Sequence, residues 1–282
     1  MAHAITKGSE QTPPEQLCGD YVIRGGHAGK RLLEVLGRIM WPTTYQLLTR
    51  TGIRERMLCL DIECGGGDVT LGLARLVGPA GRVVGIDMDV AKLEAAREEA
   101  ARQEISNVAF QQANIYEWSE ELTYDRIYAR FLLTHLPDCA TALSAMRRAL
   151  RSGGVLIIED IDFTRSFCYP RCAAYDRYVD LYRQVVQRRN GDADIGPKLY
   201  GLLVAAGLQS VNMSLVHPFH LNQEEKVLSL STLVNIADAV LSEALAQPSE
   251  LEQVVAELQA FTDDPTTIVG LPRVFQAWGR RA

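Results

Sequence analysis

Asp61, Glu63, Asp87, His135 and Asp160 are the side chains whose types and spacing could do chemistry. The first two lie in Leu58-Cys59-Leu60-Asp61-Ile62-Glu63-Cys64-Gly65-Gly66-Gly67-Asp68-Val69-Thr70. This apolar run ends in an acid, passes through a glycine cluster and opens into a helical pattern. Such a stretch reads as a buried strand, a tight turn and a helix N-terminus. Glycine has no side chain in the way, so a ligand can approach bare backbone there. Beyond it, Val83-Val84-Gly85-Ile86-Asp87 reads as a second apolar strand ending in an acid. A carboxylate about twenty residues past the glycine turn is where a nucleotide-type fold holds a ribose. The other reading of Asp87 is a strand-end cap.

Two further stretches carry candidates for the second reactant, Thr134-His135-Leu136-Pro137 and Glu159-Asp160-Ile161-Asp162-Phe163. Each follows or ends an expected strand, and open parallel sheets bind ligands at the carboxyl ends of their strands. His135 is a candidate general base, because imidazole titrates near neutral pH; its other reading is a structural turn. Asp160 and Asp162 either orient an acceptor or cap the next helix. Phe163, Phe167, Tyr169, Tyr175 and Tyr178 form an aromatic cluster. It is either an apolar wall for a planar or isoprenoid-like substrate, or core packing. His217 and His220 are two further base candidates.

The elements that must position these groups alternate. Strands are expected near 57–62, 81–87, 108–113, 124–130 and 154–160, with helices near 68–77, 90–104 and 140–150. That alternation implies a parallel sheet with helices on both faces. Residues 1–16 read as a loose tail, and a helical pattern over 21–48 is expected to break at Trp41-Pro42. Later helices are expected over 173–187, 195–206, 224–245 and 249–261, with strands over 211–221 and 273–280. Gly207 is placed as a left-handed helix cap.

The whole chain of 282 residues suits one large or two small domains. A hydrophobic fraction of 47% and a mean hydropathy of -0.03 describe a globular protein with ample core. The net charge of -6 and pI near 5.5 argue against a nucleic-acid substrate, which calls for a basic face. No apolar run is long enough to span a membrane, and no signal-peptide pattern opens the chain, so a cytoplasmic location is expected. The six cysteines are scattered and expected to be reduced thiols. Cys168 and Cys172 lack the partners of a zinc pattern, so no metal is expected.

The Asp61-to-Gly67 turn followed by Asp87 resembles the class I S-adenosylmethionine-dependent methyltransferases, whose first motif reads roughly Leu-Asp-x-Gly-x-Gly-x-Gly. The resemblance continues in Gln112-Ala113-Asn114-Ile115, similar to the adenine-contacting motif. Tyr124-Asp125-Arg126-Ile127-Tyr128-Ala129-Arg130-Phe131 resembles the fourth strand. Leu150-Arg151-Ser152-Gly153-Gly154-Val155-Leu156 resembles the "Leu-Lys-Pro-Gly-Gly" turn into the fifth. These features cover about residues 55 to 160. Within the class, the chain looks most like the small-molecule enzymes of the ubiquinone/menaquinone-biosynthesis type.

The resemblance implies an α/β, Rossmann-like, seven-stranded, mostly parallel sheet of strand order 3-2-1-4-5-7-6, helices on both faces, and a helical lid insertion. The implied division is an N-terminal helical segment over the cofactor pocket (1–50), a core (51–222), the lid (223–265) and a closing antiparallel strand (266–282). The implied cofactor is S-adenosyl-L-methionine, leaving S-adenosyl-L-homocysteine, with no metal. Asp87 and the neighbouring Met88 would meet its ribose, and Ala113, Asn114 and Ile115 its adenine. Cys64 and the backbone of Gly65 to Gly67 would approach its amino-acid half. Asp61, Arg130 and Phe131 would complete that end. His135 and Tyr21 would border the pocket, with Trp41 and Thr44 as further pocket candidates. His135 and Asp160 are the implied catalytic candidates; Asp162, Phe163, Tyr169 and Tyr175 would meet a small-molecule acceptor at oxygen, nitrogen or carbon. Two residues depart from the pattern. Asn114 stands where an Asp is usual, and its carbonyl still accepts a hydrogen bond. Glu63 stands at the first glycine, where it either crowds the pocket or pairs with the cofactor ammonium. It motivates an alternative, a protein of this fold with impaired or lost methyl transfer that binds or catalyses something else.

Overall fold

Strand and helix alternate through the middle of the chain, and the backbone follows that alternation. The computed structural model describes the backbone of residues 27–282 and the side chains from residue 34 onward. Tyr21 and the Pro13-Pro14 tail therefore lie outside the described residues. Helix α1 (His27–Arg50) leads into β1 (Leu58–Ile62), α2 (Asp68–Val77), β2 (Arg82–Asp87), α3 (Val90–Arg102) and β3 (Val108–Gln112). Then come β4 (Tyr124–Arg130), α4 (Cys139–Ala149), β5 (Leu150–Asp162), β6 (Phe167–Tyr169), α5 (Ala173–Arg188) and α6 (Leu199–Ala205). The chain closes with β7 (Gln209–Val216), β8 (Phe219–His220), α7 (Gln223–Ser242), α8 (Pro248–Asp263), β9 (Ile268–Gly270) and β10 (Arg273–Arg280).

The main sheet has the order β3-β2-β1-β4-β5-β10-β7. Counting only its own strands, that is 3-2-1-4-5-7-6, as the resemblance implied. Strand β10 runs antiparallel between β5 and β7. Both faces of β1, β2 and most of β5 are buried, which is why they read as near-continuous apolar runs, while β3 and β7 are partly exposed. Leu60, Ile62, Ile127 and Leu156 pack with Met146 of α4 and Leu203 of α6. The alternate residues Cys59, Tyr128 and Ile157 pack with Leu48 of α1 and Leu73 of α2 on the other face. A third cluster joins α5, α7 and α8 above the carboxyl end of the sheet, and includes Met40, Phe163, Tyr178 and Tyr182.

Three expectations need correction. Helix α1 does not break at Trp41-Pro42; it runs on to Arg50 with Pro42 inside it. The lost amide is tolerated because the following turns are anchored, with Thr44, Leu47 and Leu48 buried. The residues 211–221 form two strands in two sheets. Pro218 has no amide to donate to a ladder and separates β7 from β8. β8 joins β9 and β6 in a small second sheet the sequence did not announce. Finally, Gly153-Gly154 lies within β5 at a register shift against β4, not in a turn before it.

Candidate functional site

A cavity opens at the carboxyl ends of β1, β2, β4 and β5, with an empty volume of about 1210 Å³ including its solvent-open mouth. Its floor on one side is the turn after β1. Gly65 and Gly67 there have φ of 54° and 83°, the left-handed region that glycine adopts without strain. A Cβ built on Gly65 or Gly66 meets nothing within 4 Å, so the backbone faces open space. Gly67 is different. A Cβ there would press on Ala96 at 3.1 Å and Phe110 at 3.2 Å, so this glycine lets α3 and β3 close against the turn.

Acids ring this half of the cavity, and each is held differently. Asp87, 2% exposed, accepts from the Gly65 amide at 2.9 Å and the Asp89 amide at 2.8 Å. It thus bridges the glycine turn to the end of β2. Its two oxygens retain further lone pairs for a ligand. Asp61 accepts from the Thr70 hydroxyl at 2.6 Å, and burial pushes its pKa up to about 7 against that bond. Asp68 pairs with Arg130 at 2.7 Å; burial works against the guanidinium charge, and Asp68 holds it in place. Glu63 lines the cavity from a left-handed backbone position, φ 54°. Burial, with the Asp87 charge beside it, pushes its carboxyl well above the ordinary range. Cys64 also lines the cavity, and burial drives its thiol far up, so it stays protonated.

The other half of the cavity is apolar. Met40 of α1, Ile161, Phe163, Tyr178, Tyr182 and Leu228 line it, and Phe163 stacks on Tyr182 at 4.2 Å between centroids. Thr232, Leu271 and Val274 continue the wall. Between the halves stand Phe131, also left-handed at φ 56°, and His135. Burial, with the Arg189 and Lys92 charges, pushes the imidazole down to about 3. It is neutral at neutral pH and is a poor match for a general base, which works best with a pKa near the operating pH.

The structure therefore brings together Asp61, Glu63, Cys64, Gly65, Asp87, Arg130, Phe131, His135 and Phe163 around one cavity. Other candidates stand outside it. Asp160 is fully buried and accepts from the amides of Thr134 at 3.2 Å and Ile161 at 2.9 Å, with burial raising its pKa to about 7. It braces the turn carrying His135. Asp162 binds Arg273 and the Thr164 amide at 2.8 Å. Tyr169 is 67% exposed on β6, and Tyr175 is buried with its hydroxyl donating to the Gly270 carbonyl. Ala113, Asn114 and Ile115 follow β3 beside the turn; Asn114 accepts from the Tyr116 amide at 3.0 Å, and Ile115 is buried. Met88, 37% exposed, follows Asp87. Trp41 packs on Gly72 of α2, and Thr44 donates to the buried Glu159 at 2.6 Å. His217 meets the Leu271 carbonyl at 3.0 Å, and His220 meets Glu225 at 2.7 Å. The reading from sequence missed Asp68, Lys92, Tyr182 and Thr232 as lining residues. Of these, only Asp68 lay next to a recognised motif.

The sequence pattern of the family described as "Methyltransferase domain" matches residues 53–194. That stretch is half of the chain and contains the glycine turn, Asp87 and His135. The chain belongs to the methyltransferase-domain family. A demethylmenaquinone methyltransferase of Staphylococcus aureus is 36% identical over 107 residues, 38% of this chain. The match spans 44% of that relative's length. Among solved structures, the YcgJ protein of Bacillus subtilis superposes with a TM-score of 0.57 at 16% identity, covering 84% of this chain and 97% of its own. A Haemonchus contortus phosphoethanolamine N-methyltransferase 2, solved with S-adenosylhomocysteine, superposes at 0.54 with 17% identity over 86% of this chain and 53% of its own. The [4+2]-cyclase SpnF superposes at 0.54 with 18% identity over 86% of this chain and 81% of its own. These structures share the fold. The space above Gly65 and Gly66 is open. Bare backbone, an anchored carboxylate and a ring of acids suit a cationic nucleoside.

Proposed function

We propose that this methyltransferase-domain protein transfers a methyl group from S-adenosyl-L-methionine to an uncharged, largely apolar small molecule. The observation that carries the reading is Asp87, held by two backbone amides so that it faces the open space above Gly65 and Gly66. When bound, S-adenosylmethionine supplies a methyl group already activated by a sulfonium. Asp87 accepts from the ribose hydroxyls, and the Gly65–Gly66 backbone admits the amino-acid half. Asp61 and Glu63 supply negative charge near the ammonium. Asn114 and Ile115, just past β3 and outside the cavity lining, mark the side on which the family resemblance would put the adenine.

The acceptor half supports the apolar class. Its lining carries tyrosine and threonine hydroxyls, and the two cations that line the cavity, Arg130 and Lys92, stand among the acids, Arg130 paired with Asp68 and Lys92 acting on Glu63. A phosphate or carboxylate on the acceptor would find no spare cation on this wall among the described residues. The S. aureus relative bears the name of an enzyme acting on demethylmenaquinone, which fits an apolar aromatic class. His135, kept neutral, orients the acceptor as a hydrogen-bonding group while the aromatic wall excludes water, and orientation with water exclusion carries the rate. The pair α7–α8, whose Leu228 and Thr232 reach the cavity, acts as its lid.

Calorimetric titration tests the cofactor half. Wild type is expected to bind S-adenosylmethionine, and Asp87→Asn to weaken it at least tenfold while preserving the fold by circular dichroism. Unchanged affinity in Asp87→Asn would remove the reading. Transfer of labelled methyl to hydroxylated aromatic or quinol acceptors, and not to phosphorylated amines, tests the acceptor half. A second reading keeps cofactor binding without transfer, because Glu63 replaces a glycine in the cavity wall. Tight binding with no labelled product across that acceptor panel would favour it.

A further inference from the structure

Four acids line the cofactor half of the cavity: Asp61, Glu63, Asp68 and Asp87. Three are already engaged. Asp61 holds the Thr70 hydroxyl, Asp68 holds Arg130, and Asp87 holds two amides. Among the described residues, Glu63 alone of the four carries no hydrogen bond or ion pair of its own. It also occupies the backbone position of the family's first glycine, at φ 54°, so its side chain stands where bare peptide would otherwise meet the ligand.

We propose that Glu63 is a charge-reading residue of the cofactor site: its carboxylate pairs with the α-ammonium of the zwitterionic amino-acid arm of the bound nucleoside, and binding drives its proton into solvent. The inference rests on the cofactor reading above. In the empty cavity the neighbours of Glu63 are Asp87, Asp89 and Lys92, with Asp61, Asp68 and Arg130 on the surrounding wall. Acids outnumber bases in that set, and the carboxyl is partly buried in the cavity wall, so it keeps its proton near neutral pH. Both S-adenosylmethionine and S-adenosylhomocysteine bring an α-ammonium with an α-carboxylate, and it is the ammonium placed against Glu63 that reverses that balance. The carboxyl O–H bond breaks, the proton goes to buffer, and the carboxylate remains beside the cation. A glycine at this position makes no such exchange.

The test is calorimetric titration at pH 7 in two buffers of different ionisation enthalpy, which counts protons exchanged on binding. The ligands are S-adenosylmethionine, S-adenosylhomocysteine and 5′-methylthioadenosine, which lacks the charged arm. Wild type is expected to release about half a proton or more per arm-bearing ligand and none with methylthioadenosine. Glu63→Gln keeps the size and removes the charge. It is expected to remove the Glu63 share of the proton release, leaving only what Asp61, itself near 7, contributes, and to weaken the two arm-bearing ligands about tenfold, leaving methylthioadenosine unchanged. Equal proton counts in wild type and Glu63→Gln, or tighter binding of S-adenosylmethionine by the variant, overturns the proposal and leaves the cofactor reading standing. Failure of both proteins to bind any of the three ligands overturns the cofactor reading, and this proposal with it.

Discussion

At the scale of single residues, the cavity wall stores backbone strain and displaced titration. Glu63 and Phe131 hold left-handed conformations that cost a side-chain-bearing residue about 1–2 kcal/mol. Glu63→Gly is therefore expected to raise unfolding stability by about 1 kcal/mol in urea melts of the ligand-free protein. Asp61 titrates near 7 in the fold because it is buried, against 3.8 for the free side chain. Its folded value lies above its unfolded value, so the folded state holds the proton longer. Stability is fully present below about pH 4 and declines as pH rises through about 7. Asp61→Asn keeps an acceptor for Thr70 and cannot ionise. Between pH 5 and pH 8 its stability relative to wild type is expected to improve by on the order of 2 kcal/mol, read from denaturant midpoints at both pH values. No such pH trend in the difference would show that Asp61 is not raised. The types and order of Asp61, Gly65 and Asp87 were legible from sequence because strand-turn-helix grammar is local. The raised pKa of Glu63 and the lowered pKa of His135 were not, because they come from burial, and then from neighbours such as Asp87 and Arg189, that only folding brings about.

At the scale of elements, small residues set how closely helices approach. A Cβ on Gly72 of α2 would fall 2.0 Å from the Trp41 ring of α1. Gly72→Ala is expected to destabilise by about 1–3 kcal/mol through overpacking, despite the better helix propensity of alanine. Combined with Trp41→Leu, the loss is expected to be less than the sum of the two single losses, as a double-mutant cycle would show. Strict additivity would mean the two do not touch. The same contact explains why α1 continues through Pro42. Sequence reasoning weighed a local rule, and long-range packing outweighed it. Lys226 of α7 makes a similar point. It is fully buried, with its ammonium donating to the Asp264 carbonyl at 2.6 Å and the Thr267 hydroxyl at 2.9 Å, and so ties α7 to the turn after α8. Nothing in its local sequence marks it as buried.

At the scale of the whole molecule, the cavity lies between the sheet and the α5–α7–α8 cluster, so a ligand there bridges two packed units. Saturating S-adenosylmethionine at 100 times its Kd is expected to add about 2.7 kcal/mol to unfolding stability, seen as a rise in Tm. Amide exchange is expected to slow in α7 and β9 as well as in the glycine turn; protection confined to the turn would remove α7–α8 as a lid. What the sequence by itself determined is the sheet, its strand order through the family resemblance, and the glycine turn. These follow from patterns written within about thirty consecutive residues, the reach of a βαβ unit. Only the tertiary structure decided which aromatics face the cavity. Phe163 and Tyr178 line it while Tyr169 lies on the surface and Tyr175 beneath the wall. All four read alike in sequence, because a side chain's direction relative to a distant helix is set by packing between elements far apart along the chain.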